Sequence, residues 1–168
     1  MKRNISIIGM AGVGKSFTSR ALADRLGYEY VSADELITRE ARKKGADKYL
    51  LSDKAFIGVE EGVIVALQDK TNTIIDTGGS VIYSPKAMKV LDRISFIVYL
   101  SDSLENIKRR FDNRGESHLV GMAAGMTFEK LLARREKLYE KYAHVKINVS
   151  EHKNGLVSKI LSEYKTTR

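Results

Sequence analysis

The sequence predicts an α/β fold of three layers, with about five parallel strands flanked by helices on both faces. Three observations predict it. Short apolar runs rich in β-branched and aromatic residues recur along the chain. Helical patterns separate them. Most of the runs are also too apolar for a sheet with one face in water. Strands alternating with helices imply right-handed crossovers and a sheet covered on both sides.

Strands are expected at 4–8 ("NISII"), 28–32 ("YEYVS"), 73–76 ("TIID"), 95–100 ("SFIVYL") and 145–149 ("VKINV"). A helix over 16–26 places Phe17, Ala21, Leu22 and Leu26 near one face and stops at Gly27. A second, over 54–68, carries Phe56, Val59, Val63 and Leu67 at helical spacing. A third, over 103–110, follows a polar cap signal. Thr127 precedes a long amphipathic stretch, "FEKLLARREKLYEKY", and a last helix spans 156–164. No linker, repeat or low-complexity tract intervenes, so residues 1–168 are expected to form a single domain. One segment, "NRGESHLVGMAAGMTFE", lacks a period over its length. It reads either as a connection with a short helix or as a lid over about 112–126.

The absence of cysteine excludes disulfides, thiolate metal sites and a cysteine nucleophile. The opening "MKRNISIIGMAG" is too short in its apolar run for a secretory signal or a membrane span, so a cytoplasmic protein without a membrane partner is expected. A formal charge of +8 favours anionic ligands. Its basic residues cluster in "ARKKGADK", "IKRRFDNR" and "LLARREKLYEK", which read equally well as solvated helix faces. With no aromatic platform or recognised nucleic-acid motif, no nucleic acid is expected as a partner.

"GMAGVGKS" fits the pattern G-x-x-x-x-G-K-[ST] in full, with Gly9, Gly14, Lys15 and Ser16 at the defining places. A strand precedes it and a helix follows. Glycines there let backbone N–H groups turn inward around phosphate oxygens, at the positive end of a helix. The expected nucleotide cradle is Gly9, Ala11, Gly12, Val13 and Gly14, with Lys15 on the terminal phosphates, Ser16 on Mg²⁺ and Phe17 beside them. ATP and Mg²⁺ are the expected cofactors, and a P-loop kinase fold suits the length.

Further motifs follow in order. "VSADELI" carries Asp34 after the second strand, and "DTGGSV" follows the third. Arg109, Arg110 and Arg114 follow the fourth, and "RREKLY" carries Arg135. In these motifs and their spacing the chain resembles the shikimate kinase family over almost its whole length. The resemblance implies that Asp34 binds acceptor hydroxyls and that Gly78, Gly79 and Ser80 floor the acceptor site. It also implies that Arg135 forks onto a carboxylate, that Arg109 and Arg110 lie on the adenine side, and that Arg114 closes on the transferring phosphoryl group. Each residue has a plainer reading beside this one. Asp34 can cap a helix beginning near Glu35, Gly78 and Gly79 can be a simple turn, and Arg135 and Arg114 can be solvated.

Three departures from the family pattern stand out. "FIGVE" puts Ile57 where the family's "F-R-x-x-E" has an arginine, although Phe56 and Glu60 remain. Loss of such a fork partner weakens carboxylate binding by ~1.5–3 kcal/mol. Lys54 lies three positions before Ile57 and is not an obvious substitute. Ser80 replaces a third glycine and is expected to crowd the acceptor floor. Ser32 replaces an aspartate near the metal, and Asp76, at the end of the third strand, is expected to take over that role or else to cap the strand.

The lid also lacks the family's "R-P-L-L". The histidines, His118, His144 and His152, have no second ligand at useful spacing and receive no role. The expected activity is phosphoryl transfer from Mg·ATP to a hydroxyl of a small molecule, with shikimate the first acceptor and Lys15, Asp34 and Arg114 catalytic. A kinase for another polyol, hydroxy acid or nucleoside monophosphate is the alternative, as is a nucleotide-dependent regulatory protein. A monomer or weak dimer is expected.

Overall fold

Ile5, Ile7 and Ile8 make β1 (Asn4–Ile8) a strand buried along its whole length. In the computed structural model, which describes residues 4–113 and 119–166, β1 is the centre of a five-stranded parallel sheet. The strand order is β2-β3-β1-β4-β5, with β2 (Glu29–Ser32), β3 (Thr73–Asp76), β4 (Ser95–Ser101) and β5 (Val145–Asn148). In the β1–β3 register, Ile5 faces Ile74 and Ile7 faces Asp76. All five expected strands are present, with ends shifted by at most one residue.

Helices α1 (Lys15–Leu26), α2 (Ala33–Lys43), α3 (Asp53–Val65), α4 (Pro85–Ile94), α5 (Leu104–Asp112), α6 (Phe128–Tyr142) and α7 (Leu156–Thr166) fill the connections. Hydroxyl caps start most of them. Ser32, Ser52, Ser84, Ser103 and Thr127 each accept a backbone N–H three residues on, which satisfies a donor the first turn leaves open. Asp34 is therefore not a cap: α2 begins at Ala33, and Ser32 does the capping. Helix α3 ends at Val65 rather than Gln68, the chain continuing in turns.

Alternation along the strands sends side chains to two cores. Ile5, Ile7, Phe96, Val98 and Leu100 pack with Leu22, Leu131 and Ile160. Ile8, Ile75, Ile97 and Tyr99 pack with Ile37, Val63, Ile64 and Leu91 on the other face. Leu119–Met126 forms successive turns, closed by the Met122 amide on the Leu119 carbonyl and the Met126 amide on the Ala123 carbonyl, both at 3.0 Å. The short helix allowed for this stretch is absent from its described residues. Residues 114–118 of the expected lid, including Arg114 and His118, lie outside the described residues. His144, which received no role, is structural: its Nδ1 accepts the Ile97 amide at 2.9 Å. Among the described residues no helix is long and apolar enough to cross a membrane.

Truncating the central strand tests this packing. Ile7→Ala, at a site with no exposed surface, should lower unfolding free energy by about 2–5 kcal/mol in urea denaturation.

Candidate active site

The turn after β1 is built for an anion. Gly12 and Gly14 hold φ at +88° and +105°, a region that costs a side chain strain. At Gly9, with φ +145°, a Cβ would also lie 2.6 Å from the Leu100 carbonyl oxygen. Gly14 opens helix α1 with nothing within 4 Å of where its Cβ would be. Lys15 is buried, and its ammonium donates to the Met10 carbonyl at 3.1 Å, across the loop it follows. Backbone N–H groups at a helix start, with a lysine folded back over the loop, suit phosphate oxygens.

Asp76 ends β3 one strand away and is buried. The Tyr30 hydroxyl donates to its Oδ2 at 3.0 Å. Burial, with the Asp76 carboxylate second, pushes the Tyr30 phenol up to about 12, so it remains a donor at neutral pH. Thr77 then ties the chain to β1, donating its amide and hydroxyl to the Ile7 carbonyl at 3.3 and 2.8 Å. Asp76 lines one cleft with Lys15, Ser16, Ser32 and Asp34. Among the described residues no group of three or more His, Cys, Asp or Glu side chains can hold a metal. A cation here would find the buried Asp76 carboxylate and hydroxyls such as that of Ser16 in the cleft, and would draw its other ligands from phosphate and water. That donor set suits Mg²⁺.

A second cleft adjoins the first, sharing Ala11, Asp34, Gly78 and Gly79 and adding Lys48, Phe56, Ser80, Val120 and Arg135. Arg135 is not a surface residue. It is 1% exposed, and its guanidinium donates to the Val120 carbonyl at 2.6 Å, the Tyr83 hydroxyl at 3.3 Å and the Met10 sulfur at 3.3 Å. A buried cation held by a carbonyl, a phenol and a thioether can exchange one of them for a carboxylate. Asp34 sits in the first turn of α2 with its side chain 64% exposed. Gly79 needs to be small, because a Cβ would lie 3.0 Å from Arg135 Nη1, and its carbonyl accepts the Tyr139 hydroxyl at 2.7 Å.

Ser80 does not project freely into the floor, as its substitution for glycine suggests. Its hydroxyl donates to Glu60 Oε2 at 2.6 Å. Lys54 is exposed, whereas Lys48 is buried in the cleft and bonds Asp34. Sequence reasoning missed Lys48 because it closes a basic stretch that reads as a solvated face.

On the far side of the P-loop, Val13, Gly14, Phe17, Thr18 and Arg110 line a cleft with residues 153–158, large enough at about 450 Å³ for a base and ribose. Phe17 is 83% exposed there. Arg110 is fixed by Asp102 at 2.8 Å. Arg109 is exposed and donates to Asn106, which in turn bonds Asp102.

Glu60 carries a cost that pH exposes. It is 1% exposed, and Oε1 has no hydrogen-bond partner among the described residues. Burial pushes its carboxyl up to about 7 from 4.5, against the lowering effect of Ser80 and Arg135. The folded state thus holds a proton that the unfolded chain gives up, and this contribution is complete below about 4.5 and lost as pH rises through about 7. In urea titrations this group should cost the wild type ~2–3 kcal/mol between pH 5 and pH 8, and Glu60→Gln should remove that decline.

Comparison with known proteins agrees with this architecture. The sequence model described as "Shikimate kinase" matches residues 11–165. The shikimate kinase of Legionella pneumophila (strain Corby) is 32% identical over 171 residues, covering 96% of each chain. That of Chlorobium chlorochromatii is 32% identical over 146 residues, or 81% of this chain and 77% of the relative. The solved shikimate kinase of Acinetobacter baumannii, in complex with shikimate, superposes with a TM-score of 0.80 at 25% identity, covering 100% of this chain and 96% of that one. The chain belongs to the shikimate kinase family, small-molecule kinases whose acceptor is a hydroxyl group.

Proposed function

We propose that this protein transfers the terminal phosphoryl group of ATP, with Mg²⁺, to a hydroxyl of shikimate. One observation carries the reading: Asp34 lines both the cleft that holds Lys15, Ser16 and Asp76 and the adjoining cleft that holds Arg135. A hydroxyl at Asp34 is therefore beside the place where the terminal phosphate would lie. The names of the relatives and the shikimate bound to the Acinetobacter enzyme supply the choice of acceptor.

In this reading the backbone of Gly9, Ala11, Gly12, Val13 and Gly14 cradles the phosphates, and Lys15 neutralises charge on the terminal ones. Phe17 and Arg110 flank the base. Ser16 and Asp76 would hold Mg²⁺, which offsets charge on the phosphate oxygens when bound. Asp34 orients the acceptor hydroxyl in line with the phosphorus. As the new O–P bond forms and the bond to the leaving ADP oxygen breaks, the hydroxyl proton passes to the Asp34 carboxylate and from there to water. Arg135 leaves the Val120 carbonyl for the acceptor's carboxylate. Gly78, Gly79 and Ser80 bring backbone close beneath the ring. Positioning and charge stabilisation do the work, without a covalent intermediate. The proposed location is the cytoplasm, in keeping with the shikimate kinases the chain resembles.

ADP release from Mg·ATP with and without shikimate tests this. Shikimate should stimulate release in the wild type, and Lys15→Ala should lower the stimulated rate by roughly two to three orders of magnitude. Nucleotide binding with no stimulation by shikimate contradicts the assignment. Asp76→Asn should raise the Mg²⁺ concentration needed for half-maximal turnover by about tenfold.

A further inference from the structure

We infer that Lys48 is a positioning residue of the acceptor site, holding the Asp34 carboxylate in place from beneath the cleft. This rests on the functional reading above, in which Asp34 meets the acceptor. Lys48 opens a short 3-10 turn, Lys48–Leu50, which the Asp47 carboxylate caps by accepting the Tyr49 amide at 3.0 Å. Lysine is among the residues least often buried, yet Lys48 is 7% exposed. Its Nζ lies 2.6 Å from both carboxylate oxygens of Asp34 and 4.9 Å from the centre of the Tyr49 ring.

The asymmetry of the pair is informative. Lys48 is enclosed, whereas the Asp34 side chain is 64% exposed toward the cleft. An ammonium taken out of water must be paired, so Lys48 has little freedom to let Asp34 go. An exposed aspartate in a helix's first turn would otherwise sample several rotamers. Held from below through both oxygens, it keeps its remaining lone pairs for hydroxyls in the cleft. A carboxylate offers about four acceptor positions, so the ammonium does not exhaust it.

Steady-state phosphorylation of shikimate, with shikimate and ATP varied separately, tests this in the wild type, Lys48→Met, Lys48→Arg, Asp34→Asn and the double variant Lys48→Met/Asp34→Asn. Lys48→Met should lower kcat/KM for shikimate by about tenfold or more while leaving KM for ATP unchanged. Lys48→Arg should recover most of the loss, and the double variant should be no worse than Asp34→Asn alone. A Lys48→Met enzyme within about twofold of wild type for shikimate, or losses that add in the double variant, overturns the inference. A lowered melting temperature with normal shikimate kinetics also overturns it, since that is the mark of a purely structural tie. If Lys48→Met fails to fold, Lys48→Gln takes its place under the same criteria. If the wild type itself does not phosphorylate shikimate, the functional reading fails. The inference that Lys48 serves the acceptor then falls with it, whereas a wild type that phosphorylates shikimate beside an unimpaired Lys48→Met enzyme overturns the inference alone.

Discussion

The register between β1 and β3 is the constraint on which the site depends. Ile5, Ser6 and Ile7 stand opposite Ile74, Ile75 and Asp76, and Thr77 extends the contact by giving both its donors to the Ile7 carbonyl. That pairing fixes where two loops leave the sheet. One is the glycine turn from Gly9 to Gly14, the other the turn from Gly78 to Ser80. A Cβ on Gly79 would lie 3.4 Å from the Gly9 carbonyl oxygen, so the two turns are nearly in contact. A one-residue slip would turn Asp76 away from the cleft and bury it in the opposite layer. Parallel sheets place such turns together at one edge, which is why ligands of this fold class bind there.

Charge burial is the second theme. Lys15, Lys48, Glu60, Asp76 and Arg135 are all nearly inaccessible, and all belong to the two adjoining clefts or touch them. Their cost is met by short contacts to neighbours such as Ser80 on Glu60 and Tyr30 on Asp76. Glu60 Oε1 stays without a hydrogen-bond partner among the described residues, and that oxygen sits where any Cβ on Gly78 would collide with it. The glycine and the glutamate are therefore a matched pair. Ser80 is not an isolated loss of glycine either, because its hydroxyl gives Glu60 the hydrogen bond that a third glycine could not.

Much of this was legible in the sequence. The central strands are continuous apolar runs, and the phosphate loop is a full motif between a strand and a helix, so local signals and fold agree. Helix α4 was missed, and α2 was read only at its start. Helix α2 buries just Ala33, Ile37 and Ala41 along a narrow seam, and α4 buries Ala87, Met88 and Leu91 in ten residues. Such short stripes carry little periodic signal, although Pro85 after Ser84 marks the start of α4. At the site, Asp34 and Arg135 are singled out by the family resemblance, but the burial of Arg135 depends on Val120 and Tyr83, which come from elsewhere in the chain. Lys48 closes a basic stretch that reads as a solvated face, and its burial against Asp34 is a tertiary contact fourteen residues away in sequence.

The central claim is that acceptor and nucleotide meet at Asp34 across a sheet edge fixed by β1 and β3. A crystal structure of the protein with Mg·ADP and shikimate tests it most directly. The account predicts a ring hydroxyl within hydrogen-bonding distance of Asp34, facing the β-phosphate side, with the shikimate carboxylate on Arg135. Shikimate bound outside the cleft that Asp34 and Arg135 share, or bound there with its hydroxyls turned from Asp34, would contradict it.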